Sequence, residues 1–214
     1  ITNLLIDLDG TLTNPKPGIL NCVRHALAEL DEPCPPEDDL LWFIGPPLRE
    51  SFQTLLNCTE AEAEEAVRIY RERFGTIGLL ENDVFEGVPE MLEAQSAADK
   101  RLFIASTKPH VYIHPILEHF DLKNWFERIY GSELDGTRAV KTDLLHYIFA
   151  ELDLDPEITV MIGDRVHDMA AAKAVGVTSI WVDYGYGDEA ERDAAKPDHI
   201  CSSIAELAAL LNEI

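Results

Sequence analysis

Short apolar runs alternate with stretches of helical periodicity along residues 84–182, and no other feature restricts the fold as strongly. Runs rich in aliphatic residues predict buried strands at residues 101–105, 158–162 and 177–182, with a further short strand at 126–130. Apolar residues at helical spacing predict helices at 88–98, 111–120, 142–152 and 167–175. This order predicts a doubly wound α/β fold with a parallel sheet, in which sites lie beyond the carboxyl ends of the strands.

The first apolar run, residues 4–6, leads directly into Asp7-Leu8-Asp9-Gly10. Side chains two apart on extended backbone point the same way, so Asp7 and Asp9 could serve one site. Two carboxylates this close repel each other, and keeping both ionised requires a nearby cation or several hydrogen-bond donors. A bound metal ion is the favoured interpretation. The alternative is that Asp9-Gly10 only forms the turn after the strand.

Carboxylates also follow a second predicted strand. Asp164 comes directly after the run at 158–162, and Asp168 lies four residues later. Hard cations such as Mg²⁺ take oxygen ligands, often one or two carboxylates together with water and substrate phosphate. Asp168 has a simpler explanation as well, because the helix dipole favours an acidic residue in a first turn.

Possible phosphate ligands follow the strand at 101–105 and precede the helix at 142–152. Ser106, Thr107 and Lys108 supply two hydroxyls and a cation that could hold a phosphate, although hydroxyls in this position commonly cap the next helix. Lys141 comes just before its helix, where it could reach the same edge of the sheet. A lone lysine is otherwise typical of solvated surface.

Residues 16–80 lack the alternation of strand and helix patterns found in residues 84–182, and they predict an all-helical insert. Prolines and a glycine at 14–18 predict a linker, and Gly45-Pro46-Pro47 predicts a break before a helix that carries Arg49 on its first turn. Thr59 and Glu62 match a capping box, which predicts the start of a strongly amphipathic helix.

Composition excludes several classes of partner. The formal net charge of −23 argues against non-specific binding to nucleic acid or anionic membranes, which proteins approach through basic patches. The 46% apolar content is typical of a globular chain, and no apolar run is long enough to span a bilayer. The four cysteines show no paired short spacing, so we expect neither a disulfide framework nor a zinc site. The same cysteine pattern leads us to expect a cytoplasmic location.

Taken together, these stretches resemble the haloacid dehalogenase-like superfamily of phosphatases over essentially the whole chain. The matching residues are Asp7-Leu8-Asp9-Gly10-Thr11 for the first motif, Ser106 for the second, Lys141 for the third, and Gly163-Asp164 with Asp168 for the fourth. Gly45-Pro46-Pro47-Leu48 is similar to phosphoglycolate phosphatase-like members. The resemblance implies a Rossmann-like core of residues 1–15 and 81–214, with residues 16–80 as an inserted helical cap.

The resemblance also implies an Mg²⁺-dependent phosphatase that acts on a small phosphorylated metabolite through an aspartyl-phosphate. Asp7 would be the nucleophile and Asp9 the general acid and base. The implied metal ligands are Asp7, the Asp9 backbone carbonyl, Asp164 and Asp168, and the implied phosphate contacts are Gly10, Ser106, Thr107 and Lys141. We expect the cap to select the substrate, with Arg49 as its candidate contact.

Several alternatives stay open on sequence alone. A phosphomutase of the same superfamily would share every motif. A dehalogenase would not need a second acid, so Asp9 argues against that activity. A phospho-acceptor receiver domain also gathers carboxylates at strand ends but lacks the helical insert, and a non-enzymatic binding module would not need the full set of catalytic groups. Two departures from the common pattern, Thr107 in place of asparagine and Thr142 in place of proline, weaken any assignment to one substrate.

Overall fold

The computed structural model describes residues 1–214. The strands are β1 Asn3–Ile6, β2 Thr13–Asn14, β3 Asp83–Val84, β4 Arg101–Pro109, β5 Arg128–Ser132, β6 Thr159–Gly163, β7 Thr178–Val182 and β8 His199–Cys201. The α-helices are α1 Lys16–Glu29, α2 Leu48–Leu56, α3 Glu60–Phe74, α4 Val88–Ala97, α5 His110–His119, α6 Lys141–Leu152, α7 Val166–Val175, α8 Glu189–Ala195 and α9 Ile204–Glu213. Short 3₁₀ helices lie at Glu37–Phe43, Gly78–Leu80, Lys123–Trp125 and Pro156–Ile158.

The chain divides into two compact units. One contains Ile1–Asn14 and Val84–Ile214, and the other contains Pro15–Asp83. The strands β2 and β3 pair with each other, and the chain passes between the units directly after β2 and again within β3. None of the helices is both long and apolar enough to cross a membrane.

The α/β unit contains a six-stranded sheet in the order β5-β4-β1-β6-β7-β8, with every neighbouring pair parallel. The predicted α/β fold with a doubly wound parallel sheet is therefore confirmed. The central strand β1 places Ile6 opposite Ile104 of β4 and Ile162 of β6. Because the three strands run in the same direction and in register, their carboxyl ends meet at one edge of the sheet.

Both faces of this sheet are covered. Leu4, Leu5 and Ile6 point alternately to opposite faces and are all fully buried, as expected for a strand between two helical layers. On one face, Leu5 belongs to an apolar core with Leu144 of α6 and Ala171 of α7. The sheet is thus a rigid support for the residues that follow β1, β4 and β6.

The helical unit is built around α1, α2 and α3. The predicted capping box at the start of α3 is present, because the Thr59 hydroxyl accepts from the Glu62 N–H while the Glu62 carboxylate accepts from the Thr59 N–H. Aromatic rings form its core, with successive contacts from Phe43 to Phe52, Tyr70 and Phe74. The unit therefore has a hydrophobic core of its own.

Several predicted elements differ from the observed ones. The expected linker at 14–18 is wrong in its second half, because α1 begins at Lys16 and Pro17 lies in its first turn, where proline is favoured. Within the predicted helical insert, Glu37–Phe43 forms a 3₁₀ helix rather than an α-helix. Strand β4 continues to Pro109 through a register shift after Ala105, and α8 and β8 were not expected.

Candidate active site

The site begins with three carboxylates at the carboxyl edge of the sheet. Asp7 follows β1, and its N–H donates to the Ile162 carbonyl of β6 at 2.9 Å, so the ladder fixes its backbone. Asp164 follows β6, and Asp168 lies in the first turn of α7. One oxygen from each of Asp7, Asp164 and Asp168 lies within 4.8 Å of the other two, and all three residues are buried.

Lys141 is the cation of this cluster. Its ammonium group lies 2.7 Å from Asp7 Oδ1 and 2.7 Å from Asp168 Oδ1, and the residue is buried at the first position of α6. Burial by itself lowers the pKa of Lys141, but attraction to Asp168 and Asp7 outweighs it and raises the pKa. Lys141 therefore stays charged between the two carboxylates.

One lysine does not neutralise three buried carboxylates. Burial, with repulsion from Asp168 and Asp7, raises the pKa of Asp164 well above its usual range. Burial also raises the pKa of Asp168, against the lowering effect of Lys141. A cation held by Asp7, Asp164 and Asp168 would remove this repulsion, and a ligand set made only of carboxylate oxygens suits a hard ion such as Mg²⁺.

Asp168 has a structural role as well. Its Oδ2 accepts from the Arg165 N–H at 3.1 Å, as a first-turn acid does at a helix start. A Cβ on Gly163 would lie 2.3 Å from the Asp168 carboxyl carbon, so only glycine leaves room for this side chain. Asp168 thus caps α7 and faces Lys141 at the same time.

Asp9 lies beside a second lysine. Lys108 Nζ is 2.6 Å from Asp9 Oδ2, and both side chains are largely buried. The other oxygen, Asp9 Oδ1, is buried without a hydrogen-bond partner. Burial raises the pKa of Asp9, opposed by Lys108. The sequence indicated Lys108 as a possible phosphate cation, but no sequence pattern predicted its pairing with Asp9.

Ser106 and Thr107 lie in the irregular end of β4. Ser106 is buried and its hydroxyl accepts from the Lys108 N–H at 3.3 Å, while the Thr107 carbonyl accepts from the Ser132 hydroxyl at 2.7 Å. The register of β4 places Ser106 beside the segment that follows β1, because Ile104 pairs with Ile6. The expected phosphate-binding roles of both residues stay predictions.

Gly10 lies against a metal-ligand candidate. It adopts a positive φ of 83°, and a Cβ there would lie 2.2 Å from Asp164 Oδ2. The structure thus gives Gly10 a steric role that is independent of the predicted phosphate contact.

Sequence reasoning missed the loop at residues 183–187, which follows β7 and contacts Asp164. The Tyr186 N–H donates to Asp164 Oδ2 at 2.7 Å, and the Tyr184 hydroxyl donates to the Thr11 carbonyl at 3.0 Å. A Cβ on Gly185 would lie 2.2 Å from Asp164 Cβ. The one available signal was the repeated Tyr-Gly pair directly after a buried strand, where glycine permits close backbone approach.

Arg49 lies in the helical unit and is engaged there. Its guanidinium contacts Glu64 and lies 3.2 Å from Glu60, and about half of its side chain is exposed. Both acids lie on α3. The predicted contact between Arg49 and substrate therefore competes with ion pairs inside the helical unit.

Comparison with known families gives a match over most of the chain. Residues 4–182 match the family described as haloacid dehalogenase-like hydrolase. This range includes all the residues proposed above as catalytic, phosphate-binding or metal-binding.

The proteins similar to this chain are named for different activities. A 5'-nucleotidase of Pseudomonas aeruginosa is 46% identical over 98% of this chain and 95% of its own. Tyrosine-protein kinase PtkA of Mycobacterium tuberculosis is 37% identical over 86% of this chain and 62% of its own, and a phosphoglycolate phosphatase of Escherichia coli is 28% identical over 97% and 91%. A crystal structure of a predicted phosphatase from Clostridium acetobutylicum is 36% identical, with a TM-score of 0.94 over 100% of this chain and 99% of that one.

Proposed function

Because the chain belongs to the haloacid dehalogenase-like hydrolase family and is a phosphoric monoester hydrolase, we propose that it hydrolyses small phosphate monoesters through an aspartyl-phosphate on Asp7. The observation that carries this proposal is the position of Lys141. It joins Asp7 to Asp168, beside Asp164, at the carboxyl end of the central strand. Such a buried arrangement of one cation and three acids suits phosphoryl transfer, which depends on positioning and fixed charge.

Asp7 performs the first displacement in this proposal. A carboxylate oxygen of Asp7 attacks phosphorus, an O–P bond forms, and the bond to the alcohol oxygen breaks. Lys141 fixes the nucleophile by holding Asp7 Oδ1 at 2.7 Å. In this proposal the same ammonium group, with the Ser106 hydroxyl, stabilises charge on the transferring oxygens.

Asp9 acts as general acid and general base in this proposal. In its protonated form it donates a proton to the departing alcohol oxygen, and as a carboxylate it accepts a proton from the water that attacks the aspartyl-phosphate. Burial favours the protonated form needed first, and Lys108 favours the ionised form needed second. Proton transfer of this kind contributes roughly 10²–10⁴-fold in rate.

We propose that Asp7, Asp164 and Asp168 hold Mg²⁺, with the Asp9 backbone carbonyl as a further ligand. The ion would supply positive charge that offsets the repulsion between the Asp7 carboxylate and the phosphate. The all-oxygen ligand set and the raised pKa of Asp164 support this assignment.

We infer that nucleoside 5'-monophosphates are the first substrates to test, because a 5'-nucleotidase is 46% identical over nearly the whole chain. Phosphoglycolate and sugar phosphates come next, given the more distant phosphoglycolate phosphatase relatives.

We also propose that the helical unit is a cap that selects the leaving group. Arg49→Ala should then lower kcat/KM for esters with an anionic leaving group and leave a neutral aryl phosphate unaffected; equal effects on both would remove this role.

A phosphate-release screen tests the proposal. Purified protein with Mg²⁺ is assayed against nucleoside 5'-monophosphates, phosphoglycolate, sugar phosphates and an aryl phosphate. Phosphate release well above that of the Asp7→Asn variant is expected for at least one class of ester. Absence of phosphate release from every ester would refute the proposal.

The alternative activities are separated by product. An isomerised sugar phosphate formed without free phosphate would identify a phosphomutase. Because PtkA is named a tyrosine kinase, the same samples are incubated with ATP and probed for phosphotyrosine. Phosphotyrosine without ester hydrolysis would favour a phosphotransferase.

A further inference from the structure

Two histidines on the first turns of α5 face each other outside the carboxylate cluster. His110 and His114 are four residues apart, and this spacing puts both side chains on the same face of a helix. Their Nε2 atoms lie 3.0 Å apart, a distance at which one ring N–H donates to the other ring nitrogen in the absence of an ion, and the ring centroids are 4.5 Å apart with an interplanar angle of 68°. Both side chains are partly exposed, so solutes can reach the pair.

The separation of the two nitrogens matches that of two ligands of one metal ion. At the roughly 2.0–2.1 Å typical of metal–imidazole bonds, two nitrogens lie about 2.9 Å apart for a right angle at the metal and about 3.3 Å apart for a tetrahedral angle. The observed 3.0 Å is close to the right-angle value. Right angles are typical of the square-planar and tetragonal sites of Cu²⁺ and Ni²⁺.

The groups around the pair are compatible with a cation. Burial, followed by repulsion from His110 and Lys123, lowers the pKa of His114, so its imidazole is neutral and can ligate at neutral pH. Lys123 is paired with Glu118, which lies one further turn along the same helix. The local positive charge is therefore largely compensated.

We propose that His110 and His114 form a bis-histidine site for a divalent transition metal ion of the Cu²⁺ or Ni²⁺ type. The two Nε2 atoms are adjacent ligands, and water or a small anion completes the coordination. The site uses none of the carboxylates of the catalytic cluster. A bound ion would link the first two turns of α5, the helix that begins directly after β4.

Cu²⁺ titration of the full-length protein, followed by electron paramagnetic resonance, tests this site. Saturating Mg²⁺ is included so that the carboxylate cluster is occupied. Equivalent nitrogen couplings from two imidazoles are expected in the wild type, whereas Cu²⁺ bound by Asp7, Asp164 and Asp168 would show only oxygen ligands. The spectrum of the unmodified protein therefore tests the proposal even if a variant fails to fold.

His110→Gln and His114→Gln identify the ligands. Each should lose one nitrogen coupling and weaken Cu²⁺ binding about tenfold or more, since even residues that only orient a ligand typically contribute 10–100-fold. His119→Gln is the matched control, because His119 lies on the same helix and packs on Phe120. Circular dichroism verifies that each variant is folded.

Three results would overturn the proposal. The first is a wild-type spectrum without paired imidazole nitrogens. The second is equal binding by the two ligand variants and the wild type. The third is equal weakening by His119→Gln, which would indicate non-specific histidine binding.

Discussion

Gly185→Ala should weaken Mg²⁺ binding without replacing any proposed ligand. A Cβ at this position would lie 2.2 Å from Asp164 Cβ and 2.4 Å from Asp164 Oδ2, whereas Cβ atoms essentially never approach other heavy atoms closer than 3.0 Å. The new methyl group and the Asp164 side chain must therefore separate by nearly 1 Å. The flanking Tyr186 N–H, which holds Asp164 Oδ2 at 2.7 Å, moves with the loop.

The expected loss follows from that hydrogen bond. Groups that orient a metal ligand typically contribute 10–100-fold to metal affinity, so we expect the Mg²⁺ dissociation constant of the variant to be roughly ten- to 100-fold larger than that of the wild type. Asp164 itself remains present. Mg²⁺ at high concentration should therefore restore most of the activity of the variant, while the KM for substrate measured at saturating Mg²⁺ changes little.

Gly176→Ala provides the matched control. Gly176 ends α7 with a positive φ of 77°, and apart from its two chain neighbours no heavy atom lies within 4 Å of the point that a Cβ would occupy, so the substitution strains the backbone without affecting Asp164. It should cost about 1 kcal/mol of stability and leave Mg²⁺ affinity unchanged. Isothermal titration calorimetry with Mg²⁺ and thermal unfolding separate the two effects. Equal Mg²⁺ affinity for Gly185→Ala and wild type would refute the role assigned to the loop.

Three further predictions concern the cluster itself. Lys141→Met leaves Asp7 and Asp168 buried without their cation, so urea unfolding in chelator should show a loss of about 3–5 kcal/mol, partly recovered with Mg²⁺; unchanged stability would contradict the buried ion pairs. Asp9→Asn should slow alkyl phosphates by roughly 10²–10⁴-fold and the phosphorylation step with an activated aryl phosphate much less, since that leaving group hardly needs a proton; equal loss would remove the acid role. Chelator should abolish turnover and Mg²⁺ should restore it, with Ca²⁺ a poor replacement because of its larger and looser coordination shell; full activity of metal-free protein would refute the metal requirement.

The parts of the fold that could be predicted are those with continuous runs or a regular spacing of apolar residues. Buried runs such as residues 4–6 and Thr159–Gly163 have few alternatives to a strand covered on both faces, and the position of Asp7 and Asp164 at their ends follows from parallel strand order. The elements that were missed have no such pattern. Helix α8 consists of alanine and charged residues, and β8 has only three residues.

The contacts inside the site were harder to predict for a different reason. The Lys108 side chain could have paired with a phosphate or with several acids, and only the folded geometry shows it beside Asp9. The loop at Gly185 and Tyr186 acts through a backbone N–H and through missing side-chain volume, neither of which depends on a recognisable residue pattern. Motif spacing thus indicates the residues proposed to contact metal or phosphate, but not the groups that orient those residues.

Trapping of the phosphorylated enzyme tests the central proposal most directly. The protein is mixed with a ³²P-labelled ester that the screen identifies as a substrate, quenched in acid within the first turnover, and digested for peptide mapping. Label is expected on the peptide that contains Asp7; it should be released by hydroxylamine, as an acyl phosphate is, and be absent from Asp7→Asn. Product formation without covalent label, or label on Ser106 instead, would contradict an aspartyl-phosphate on Asp7.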